Sequence, residues 1–551
     1  MTLAAGFATG EVENAPPQAY YNNRYQGKGI AMGDRFDVNR VFLALLLVSL
    51  VVSAFFLCHR RVGALGPGQE SCVDPFYHVM MADWSPGICL SKTFPHTDMS
   101  IWKDHFYDKE LSFHLLLGTV RKLGGVLGVS PDPPFHFAVM VFVCALLGVM
   151  AALLWRLDRG YAWLWLWLFV SVIPAAENRM TLLRPHLLSM ALMAAACFLL
   201  PRVRRTGRLW IPALLAVLFV YSYSTPHLVF IPAGIWALFL AWRRRFKLAG
   251  GVLGVTFLGF LAAMVAHPQF PNTFIVWKAQ CVDVLWEMLT KSVNLDIGGE
   301  EFRPCWLWLE YNAGLFVLTA LELGGAAWLL ARRRLSVHSG FLLSCQLVFL
   351  AGLCLVSMRF VEYALPLSIL ASCRLWRDVR RRVLPGAPPL ARRLATPALL
   401  VLAGVPAALF PLTLLPPGLT FKPFDRFGEW SAKNLVPGTL VANIEWEDFP
   451  ILFYSAPNCR YLVGLDPMFG YAQAPEAMRK IAALRRMQYP MPPAELRALT
   501  GADFAFVNPT HGRLAAALHD RLGYRLVHSD GFYLFDLRPL PPGVKLKRAA
   551  Q

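Results

Sequence analysis

The stretch HLVFIPAGIWALFLAWRRRFKLAGGVLGVTFLGFLAAMVA, residues 227–266, places two apolar runs on either side of a short basic cluster. Apolar runs of about this length are typical of helices that cross the hydrocarbon core of a membrane, which is about 30 Å thick. The cluster RRRFK at 243–247 indicates a cytoplasmic connection, because cytoplasmic loops of membrane proteins carry an excess of Lys and Arg. The stretch therefore predicts two membrane helices joined on the cytoplasmic side.

The same alternation runs through most of the 551 residues. The chain is 56% hydrophobic and only 16% charged, and its mean hydropathy is +0.45. This composition is typical of a polytopic membrane protein. We predict spans at 41–58, 136–155, 161–176, 186–200, 209–223, 227–242, 248–266, 312–331, 340–357, 361–373 and 395–416.

Every second connection between these runs is strongly basic. The basic connections contain Arg156 and Arg159; Arg202, Arg204, Arg205 and Arg208; Arg243 to Lys247; Arg332, Arg333 and Arg334; and the arginines from Arg374 to Arg393. The positive-inside rule then places the N-terminus in the cytoplasm and the C-terminal tail outside, in a multi-pass protein of the cell (inner) membrane. The net charge of +18 is accounted for by this topology, so we expect no nucleic-acid partner.

The sequence predicts a polytopic α-helical membrane protein of about eleven spans with a C-terminal soluble α/β domain. Residues 1–40 form a polar cytoplasmic segment, followed by a retained anchor helix, since no small-residue cleavage site follows the first apolar run. Residues 41–416 form the transmembrane domain, with large outside loops at 59–135 and 267–310. Residues 420–551 alternate short strand and helix patterns, which predicts an extracytoplasmic α/β domain.

Two pairs of cysteines share an outside loop. Cys72 and Cys89 lie in the first loop, and Cys281 and Cys305 lie in the second large loop. Either pair could form a disulfide in an oxidising compartment, and four free thiols fit the sequence equally well.

The first outside loop begins with VDPFYHVMMAD at 73–83. Aspartate before proline is typical of a helix start in which the carboxylate is the N-cap, and LDPMFGY at 465–471 repeats the pattern. If Pro75 opens a helix, Asp74 and His78 lie on one face, with Asp83 two to three turns along. A carboxylate and an imidazole so placed also suit a general base or a ligand for a divalent cation bound to phosphate. Both interpretations stay open at this point.

A second cluster, PAAENRMTLLRPHLL at 174–188, contains Glu177, Arg179, Arg184 and His186 at the outer membrane surface. Ionisable groups at bilayer depth cost about 2.5–3.5 kcal/mol each, so they are usually paired or functional. The alternative is an ordinary polar turn whose arginines reach the lipid headgroups.

A third cluster, SMRFVEYALPL at 357–367, contains Arg359 and Glu362. Their i, i+3 spacing is typical of a salt bridge within one helix. An arginine on the outer side opposes the charge bias of the chain, and a lipid-linked phosphate would give it a partner.

These features together resemble the GT-C class of integral-membrane glycosyltransferases, and the pattern is similar to that of the catalytic subunits of oligosaccharyltransferases. The resemblance covers about residues 41–416 and rests on the basic-loop topology and the motif Asp-Pro-Phe-Tyr-His at 74–78. It also rests on the acidic turn at Glu177, the Arg-Phe pair at 359–360 and the C-terminal outside domain.

The resemblance implies roles only at matching positions. Asp74 corresponds to the first-loop acid that acts as catalytic base or helps bind a divalent metal ion, and Glu177 to the acid of the second outside loop. Arg359 resembles the late-span arginine that contacts the lipid-linked phosphate. The chain differs from the oligosaccharyltransferases in two ways: Glu177 lacks a paired acid, and the tail has no Trp-Trp-Asp-x-Gly motif.

The resulting hypothesis is a membrane glycosyltransferase that moves a sugar or oligosaccharide from a polyprenyl-phosphate carrier to an extracytoplasmic glycan, lipid or protein acceptor. The predicted catalytic residues are Asp74 and Glu177, and the predicted substrate-binding residues are His78, Asp83, Arg184, His186 and Arg359. A divalent ion, Mg²⁺ or Mn²⁺, is the one candidate cofactor, and Trp446, Asp448 and Asp466 are candidate tail contacts. A flippase for lipid-linked sugars and a non-catalytic scaffold are the competing classes.

Overall fold

The structure is a computed structural model. It describes residues 38–61, 69–70, 72–133, 135–171, 179–290, 309–383, 388, 390, 394–398, 419–420 and 422–539. The chain divides into two compact units, Met1–Val41 and Phe42–Gln551, and every contact reported below lies within the second.

Helices make up most of the described residues. The α-helices are α1 Val38–Arg61, α2 Asp74–Asp83, α3 Gly87–Leu90, α4 Leu111–Val126, α5 His136–Leu157, α6 Ala162–Ser171, α7 His186–Thr206, α8 Trp210–Ser222, α9 Phe230–Trp242, α10 Phe246–Ala266, α11 Asn272–Trp277, α12 Val284–Thr290, α13 Leu309–Ala331, α14 Val337–Leu355, α15 Val361–Val383, α16 Lys422–Asn434, α17 Phe449–Ser455, α18 Pro467–Gln473, α19 Pro475–Arg485, α20 Pro493–Thr500 and α21 Gly512–Ala516. The strands are β1 Gln69–Glu70, β2 Leu419–Thr420, β3 Leu440–Asn443, β4 Arg460–Tyr461, β5 Phe504–Val507, β6 Arg525–His528 and β7 Tyr533–Asp536.

Six described helices are long and apolar enough to cross a membrane. These segments are Val38–Phe55, His136–Leu157, His186–Thr206, Phe246–Ala266, Asn312–Ala331 and Val337–Leu355. Three shorter apolar helices, Ala162–Ser171, Trp210–Ser222 and Pro226–Trp242, coincide with further predicted spans. The prediction of a polytopic helical protein is therefore confirmed, whereas the count of eleven is not.

Two of the eleven predicted spans are not among the apolar helices just named, each for its own reason. The run at 361–373 is the first part of α15, which continues through Arg380, Arg381 and Arg382, so the helix as a whole is far less apolar than its first half. Most of the run at 395–416 lies outside the described residues.

The tail contains a five-stranded mixed sheet in the order β4-β3-β5-β7-β6. β3 is parallel to both β4 and β5, whereas β7 is antiparallel to β5 and β6. All four residues of β3 and of β5 are buried, as expected for central strands covered on both faces. The predicted alternation of strands and helices after residue 420 is thus present; that this region is soluble and extracytoplasmic stays a prediction.

The first loop is continuous with this sheet. The backbone at 96–99 runs alongside β4: the Tyr461 N–H donates to the His96 carbonyl oxygen at 2.9 Å, and the Asp98 N–H donates to the Tyr461 carbonyl oxygen at 2.8 Å. Asp98 also forms an ion pair with Arg460, 2.7 Å between Nη1 and Oδ2. The loop and the tail therefore position each other.

Aromatic side chains fill the space between loop and tail. The Trp102 ring centroid lies 4.9 Å from that of Phe469, and the Phe94 centroid lies 5.4 Å from that of Phe453. All four side chains are fully buried. The Phe76 ring of α2 joins this core, with its centroid 5.2 Å from that of Tyr454, so the core holds the start of α2 against the tail.

Candidate functional site

A cavity of about 290 Å³ lies where the first loop, the helix bundle and the tail meet. Its walls come from segments far apart in sequence. The lining residues are Cys72, Val73, Asp74, His78, Lys109, Glu110, Arg179, Arg184, Pro185, His186, Tyr223, Ser224, Gln280, Arg359, Trp446, Glu447, Pro450, Leu465, Asp466 and Pro467. Five of the seven residues predicted as catalytic or substrate-binding are therefore brought together: Asp74, His78, Arg184, His186 and Arg359.

Asp74 lies at the first position of α2 and does not cap it. Val73 occupies the N-cap position, in the right-handed helical region, and no side chain caps this helix. The prediction that Asp74 is the N-cap is thus wrong, because the helical backbone begins one residue earlier than Pro75 suggests. The Asp74 carboxylate instead forms an ion pair with the guanidinium of Arg184, so the helix start presents it to the cavity.

Arg184 lies in the turn that leads into α7, and His186 is the first residue of that helix. The His186 ring donates from Nε2 to the carbonyl oxygen of Arg179 at 2.6 Å, which ties the start of α7 to the preceding turn. His186 is buried, whereas the Arg184 side chain is 14% exposed, on the cavity side of its pair with Asp74. The turn thus holds one cation at the cavity wall beside the acid of α2.

A buried ion pair supports the same turn from behind. Arg179 Nε donates to Glu362 Oε1 at 3.0 Å, and the Tyr223 hydroxyl donates to Glu362 Oε2 at 3.1 Å. The sequence suggested only a local i, i+3 pair of Glu362 with Arg359. Glu362 also makes these two long-range contacts, with Arg179 and Tyr223. Breaking such a buried pair would leave an uncompensated charge. The pair of Arg179 with Glu362 therefore fixes the turn before α7 to the start of α15.

Two further cations reach the cavity. Arg359 lies in the short 3₁₀ turn Met358–Phe360 that precedes α15, and its N–H donates to the Ser357 hydroxyl at 3.2 Å. Lys109 is a cation that the sequence did not single out; it is 7% exposed, and its Nζ lies 4.0 Å from Glu110 Oε1. Lys109, Arg184 and Arg359, together with Arg179 of the buried pair, give the cavity four cationic side chains.

Behind His78 runs a chain of buried hydrogen bonds. His78 Nδ1 lies 2.9 Å from His114 Nε2, and His114 Nδ1 lies 2.8 Å and 3.0 Å from the two carboxylate oxygens of Asp108. Burial, then the neighbouring His114 and the cavity cations, lower the pKa of His78 well below its usual range. Burial alone would raise the pKa of Asp108, but the charge and hydrogen bond of His114 outweigh it and lower that pKa.

One predicted site residue is not brought to the cavity, and another lies outside the described residues. Asp83 forms a two-point ion pair with Arg121, at 2.8 Å and 2.9 Å, and is not among the residues that line the cavity. Glu177 lies outside the described residues.

The candidate tail contacts divide in the same way. Trp446 and Asp466 line the cavity. Asp448 is buried away from it and accepts from Asn508 Nδ2 at 3.1 Å. Of the loop cysteines, Cys89 and Cys281 are free thiols, and Cys305 lies outside the described residues.

Side chains able to hold a metal ion lie just behind the cavity wall. Among the described residues, His78, Glu110 and His114 form one such group, and Cys89, Asp108 and His114 form another. The family resemblance implied that Asp74 acts as catalytic base or helps to bind a divalent metal ion, but Asp74 belongs to neither group. The donor sets that fit an ion are therefore built around His114, a residue that the sequence did not single out.

The comparisons with known proteins rest on structure alone, because no family model and no curated protein matches the chain. The archaeal oligosaccharyltransferase AglB from Archaeoglobus fulgidus, solved with an inhibitory peptide and a dolichol-phosphate, superposes with a TM-score of 0.55 at 11% identity, over 90% of this chain and 75% of that one. ArnT from Cupriavidus metallidurans, bound to undecaprenyl phosphate, gives a TM-score of 0.51 at 14% identity, over 90% of this chain and 98% of that one.

A third solved structure is the mycobacterial arabinofuranosyltransferase AftD. It gives a TM-score of 0.50 at 16% identity, over 92% of this chain, which spans 42% of that protein. The first two of these structures were solved with a polyprenyl-phosphate-type lipid. The chain therefore shares its fold with these three solved structures, in agreement with the resemblance that the sequence motifs suggested.

Proposed function

We propose that the protein is a membrane glycosyltransferase that takes a sugar from a polyprenyl-phosphate-type carrier and transfers it to an acceptor on the outer side of the membrane. The observation that carries the proposal is the cavity that brings the Asp74 carboxylate together with the cations Lys109, Arg184 and Arg359. Two of the solved structures with this fold hold a dolichol-phosphate and an undecaprenyl phosphate, the kind of ligand that such cations would bind.

The reaction needs two kinds of group. The acceptor hydroxyl loses its proton to a base as its oxygen bonds to the anomeric carbon, and the bond from that carbon to the carrier phosphate breaks. The departing phosphate gains negative charge, which fixed cations stabilise. Asp74 is the base in this scheme, and Lys109, Arg184 and Arg359 take the phosphate.

The ion pair of Asp74 with Arg184 orders these events. While Arg184 binds the carboxylate, both groups are held at the cavity wall. A donor phosphate competes for the same guanidinium, with which it can form two parallel hydrogen bonds. Binding of the donor thus frees a carboxylate oxygen of Asp74 to accept the proton.

Trp446 supplies a donor on the tail side of the cavity. It lines the cavity, and its indole N–H is buried with no hydrogen-bond partner among the described residues. A buried donor without a partner is costly, and a hydroxyl of the sugar or of the acceptor would satisfy it. We assign this position to substrate orientation.

The test is a transfer assay with purified protein, a radiolabelled polyprenyl-phosphate sugar and membrane extracts as a source of acceptors. Asp74→Asn keeps the shape of the side chain and removes the base, so transfer should fall by at least about 100-fold. Asp83→Asn is the matched control, because it makes the same change on the same helix at a residue bound to Arg121 outside the cavity; its transfer should equal that of the wild type.

Two results would count against the proposal. Equal product from Asp74→Asn and from the wild type would remove Asp74 as the base. If the labelled donor moved across the membrane of proteoliposomes and no product were transferred, the result would favour the alternative function, a flippase for lipid-linked sugars.

A further inference from the structure

Three buried donor side chains converge at the cavity wall, two of them lining it and the third behind them. His78 on α2, Glu110 at the N-cap position of α4 and His114 one turn into α4 each offer one ligand atom, and these atoms lie within 4.8 Å of one another. The three side chains are 5%, 4% and 0% exposed. We propose that they bind a divalent transition-metal ion of the zinc type, at a position distinct from the Asp74–Arg184 ion pair.

The distance between the imidazoles fits such an ion. Zinc binds histidine nitrogen at about 2.0–2.1 Å, so two nitrogens on a tetrahedral ion lie about 3.3 Å apart. His78 Nδ1 and His114 Nε2 are 2.9 Å apart. An ion between them therefore requires the rings to separate by less than about half an ångström.

Glu110 supplies the independent observation that points to a ligand. Its Oε2 is buried and has no hydrogen-bond partner among the described residues, although a buried carboxylate without partners is strongly unfavourable. Lys109 lies at 4.0 Å from the other oxygen, Oε1, so it does not satisfy Oε2. A cation bound jointly with His78 and His114 would.

Asp108 completes the arrangement on the far side of His114. A carboxylate accepts, so the His114 Nδ1–H donates to Asp108 at 2.8 Å, and in the neutral ring Nε2 is then the lone-pair nitrogen that faces His78. Histidine ligands of metal ions usually donate their other N–H to a carboxylate in this way, which fixes the tautomer and the ring orientation. Asp108 is held in turn by the Glu110 N–H at 3.1 Å.

The choice of ion follows from the donors. Two imidazoles and one carboxylate suit Zn²⁺ and related transition-metal ions, whereas Mg²⁺ prefers oxygen ligands and bound water. His78 and Glu110 also line the cavity, so an ion bound by three protein ligands would keep one position open on that side, as catalytic zinc sites do. The donor set thus favours a different ion from the Mg²⁺ or Mn²⁺ that the sequence suggested.

The second candidate group shares His114 but is less suited to an ion. Its members Cys89, Asp108 and His114 already satisfy one another or a neighbour: Asp108 accepts from His114, and Cys89 Sγ lies 2.8 Å from the Ser85 hydroxyl. The unsatisfied oxygen is on Glu110. The site is therefore on the Nε2 side of His114.

Metal binding can be measured without any sugar donor or acceptor, so its outcome is independent of the proposed function. The full-length protein in detergent is stripped with a chelator and titrated calorimetrically with Zn²⁺, and separately with Mg²⁺. We expect one tight Zn²⁺ site per chain, loss of at least about 100-fold in affinity for His114→Gln, and a 10- to 100-fold loss for Asp108→Asn, which removes the outer carboxylate. Mg²⁺ should show no binding at the same concentrations.

Controls keep the test decisive if a buried variant is unstable. Glu110→Gln retains shape and should weaken Zn²⁺ binding at least about tenfold with an unchanged melting temperature in the metal-free state. His105→Gln changes a histidine of the same loop that contacts Asn272 outside the cluster, and its affinity should match the wild type. Equal affinity of the wild type and Glu110→Gln, or equal loss in His105→Gln, would overturn the site and leave the three residues as a hydrogen-bonded chain.

Discussion

The same dipeptide, Asp-Pro, opens a helix on two walls of one cavity and does different work in each. At Asp466-Pro467 the aspartate is a true N-cap: its backbone is extended, and its Oδ1 accepts from the Met468 N–H at 2.9 Å. At Asp74-Pro75 the aspartate is already inside the helix, no side chain caps it, and its carboxylate binds Arg184, 110 residues away in sequence.

The difference lies in where each carboxylate finds its partner. A capping carboxylate is satisfied by the backbone two residues ahead, so its role is set locally. A carboxylate at the first helical position is favourably placed near the positive end of the helix dipole but remains available to a distant group. The dipeptide alone thus predicts a helix start in both places, and the packing of the turn before α7 decides that Asp74 forms an ion pair with Arg184 while Asp466 caps its helix.

The largest expected effect comes from breaking the long-range ion pair between Asp74 and Arg184. Arg184→Gln removes the partner of Asp74 and one of the cavity cations. If Arg184 binds the departing phosphate, transfer should fall by about 10²–10³-fold, the usual loss when one group that stabilises transition-state charge is removed. Single-turnover rates at saturating donor measure this loss.

Arg121→Gln is the matched control for that variant. Arg121 also pairs with an aspartate of α2, Asp83, but at the exposed side of the helix. Transfer by this variant should stay within about twofold of the wild type, since surface ion pairs contribute little. A comparable loss in both variants would show that any disturbance of α2 impairs the enzyme and that Arg184 has no special role.

Helical periodicity explains which site residues could be predicted from sequence. Asp74 and His78 are four residues apart and both reach the cavity, whereas Asp83 is nine residues from Asp74. At about 100° per residue, nine residues place a side chain about 180° away, on the opposite face. Arg184, His186 and Arg359 were also identifiable, because ionisable groups near a membrane surface need a partner.

The remaining site residues depend on contacts that the sequence does not display. Lys109, Glu110 and His114 reach the site only because α4 packs against α2, and the bond between the two histidines joins positions 36 residues apart. The pair of Arg179 with Glu362 spans 183 residues. The membrane spans could be predicted from the length of the apolar runs and the basic connections between them. The core that the first loop shares with the tail could not, because it is formed by aromatic packing that no local pattern indicates.

A third aspartate at a helix start sharpens the comparison through pH. Asp448 precedes α17, makes no cap hydrogen bond and is buried. Burial, opposed in part by the Asn508 hydrogen bond and reinforced by Glu445 and Glu447, raises its pKa to about 7. Because the folded protein favours the neutral acid, its contribution to stability is complete below about pH 4 and is lost as pH rises through about 7.

Asp448→Asn should therefore raise the melting temperature by a few degrees at pH 8 and leave it unchanged at pH 4. Asp530→Asn, at a side chain that is 87% exposed, should show no such dependence. Thermal unfolding of the detergent-solubilised protein, followed by tryptophan fluorescence across this range, measures both. An Asp448→Asn variant that is less stable than the wild type at pH 8 would contradict the burial argument.

The smallest effect isolates capping itself, through the difference between asparagine and alanine at each Asp-Pro. Asparagine caps a helix about as well as aspartate, whereas alanine cannot, and the loss of a cap costs about 1 kcal/mol. Both substitutions remove the charge equally, so the difference between them reports the cap alone.

At Asp466 the alanine variant should be less stable than the asparagine variant by about 1 kcal/mol, because the Met468 N–H loses its acceptor. At Asp74 the two variants should unfold at the same temperature, since no cap is lost. A difference as large at Asp74 would mean that its carboxylate caps α2 after all, and the case for a carboxylate free to act in the cavity would weaken with it.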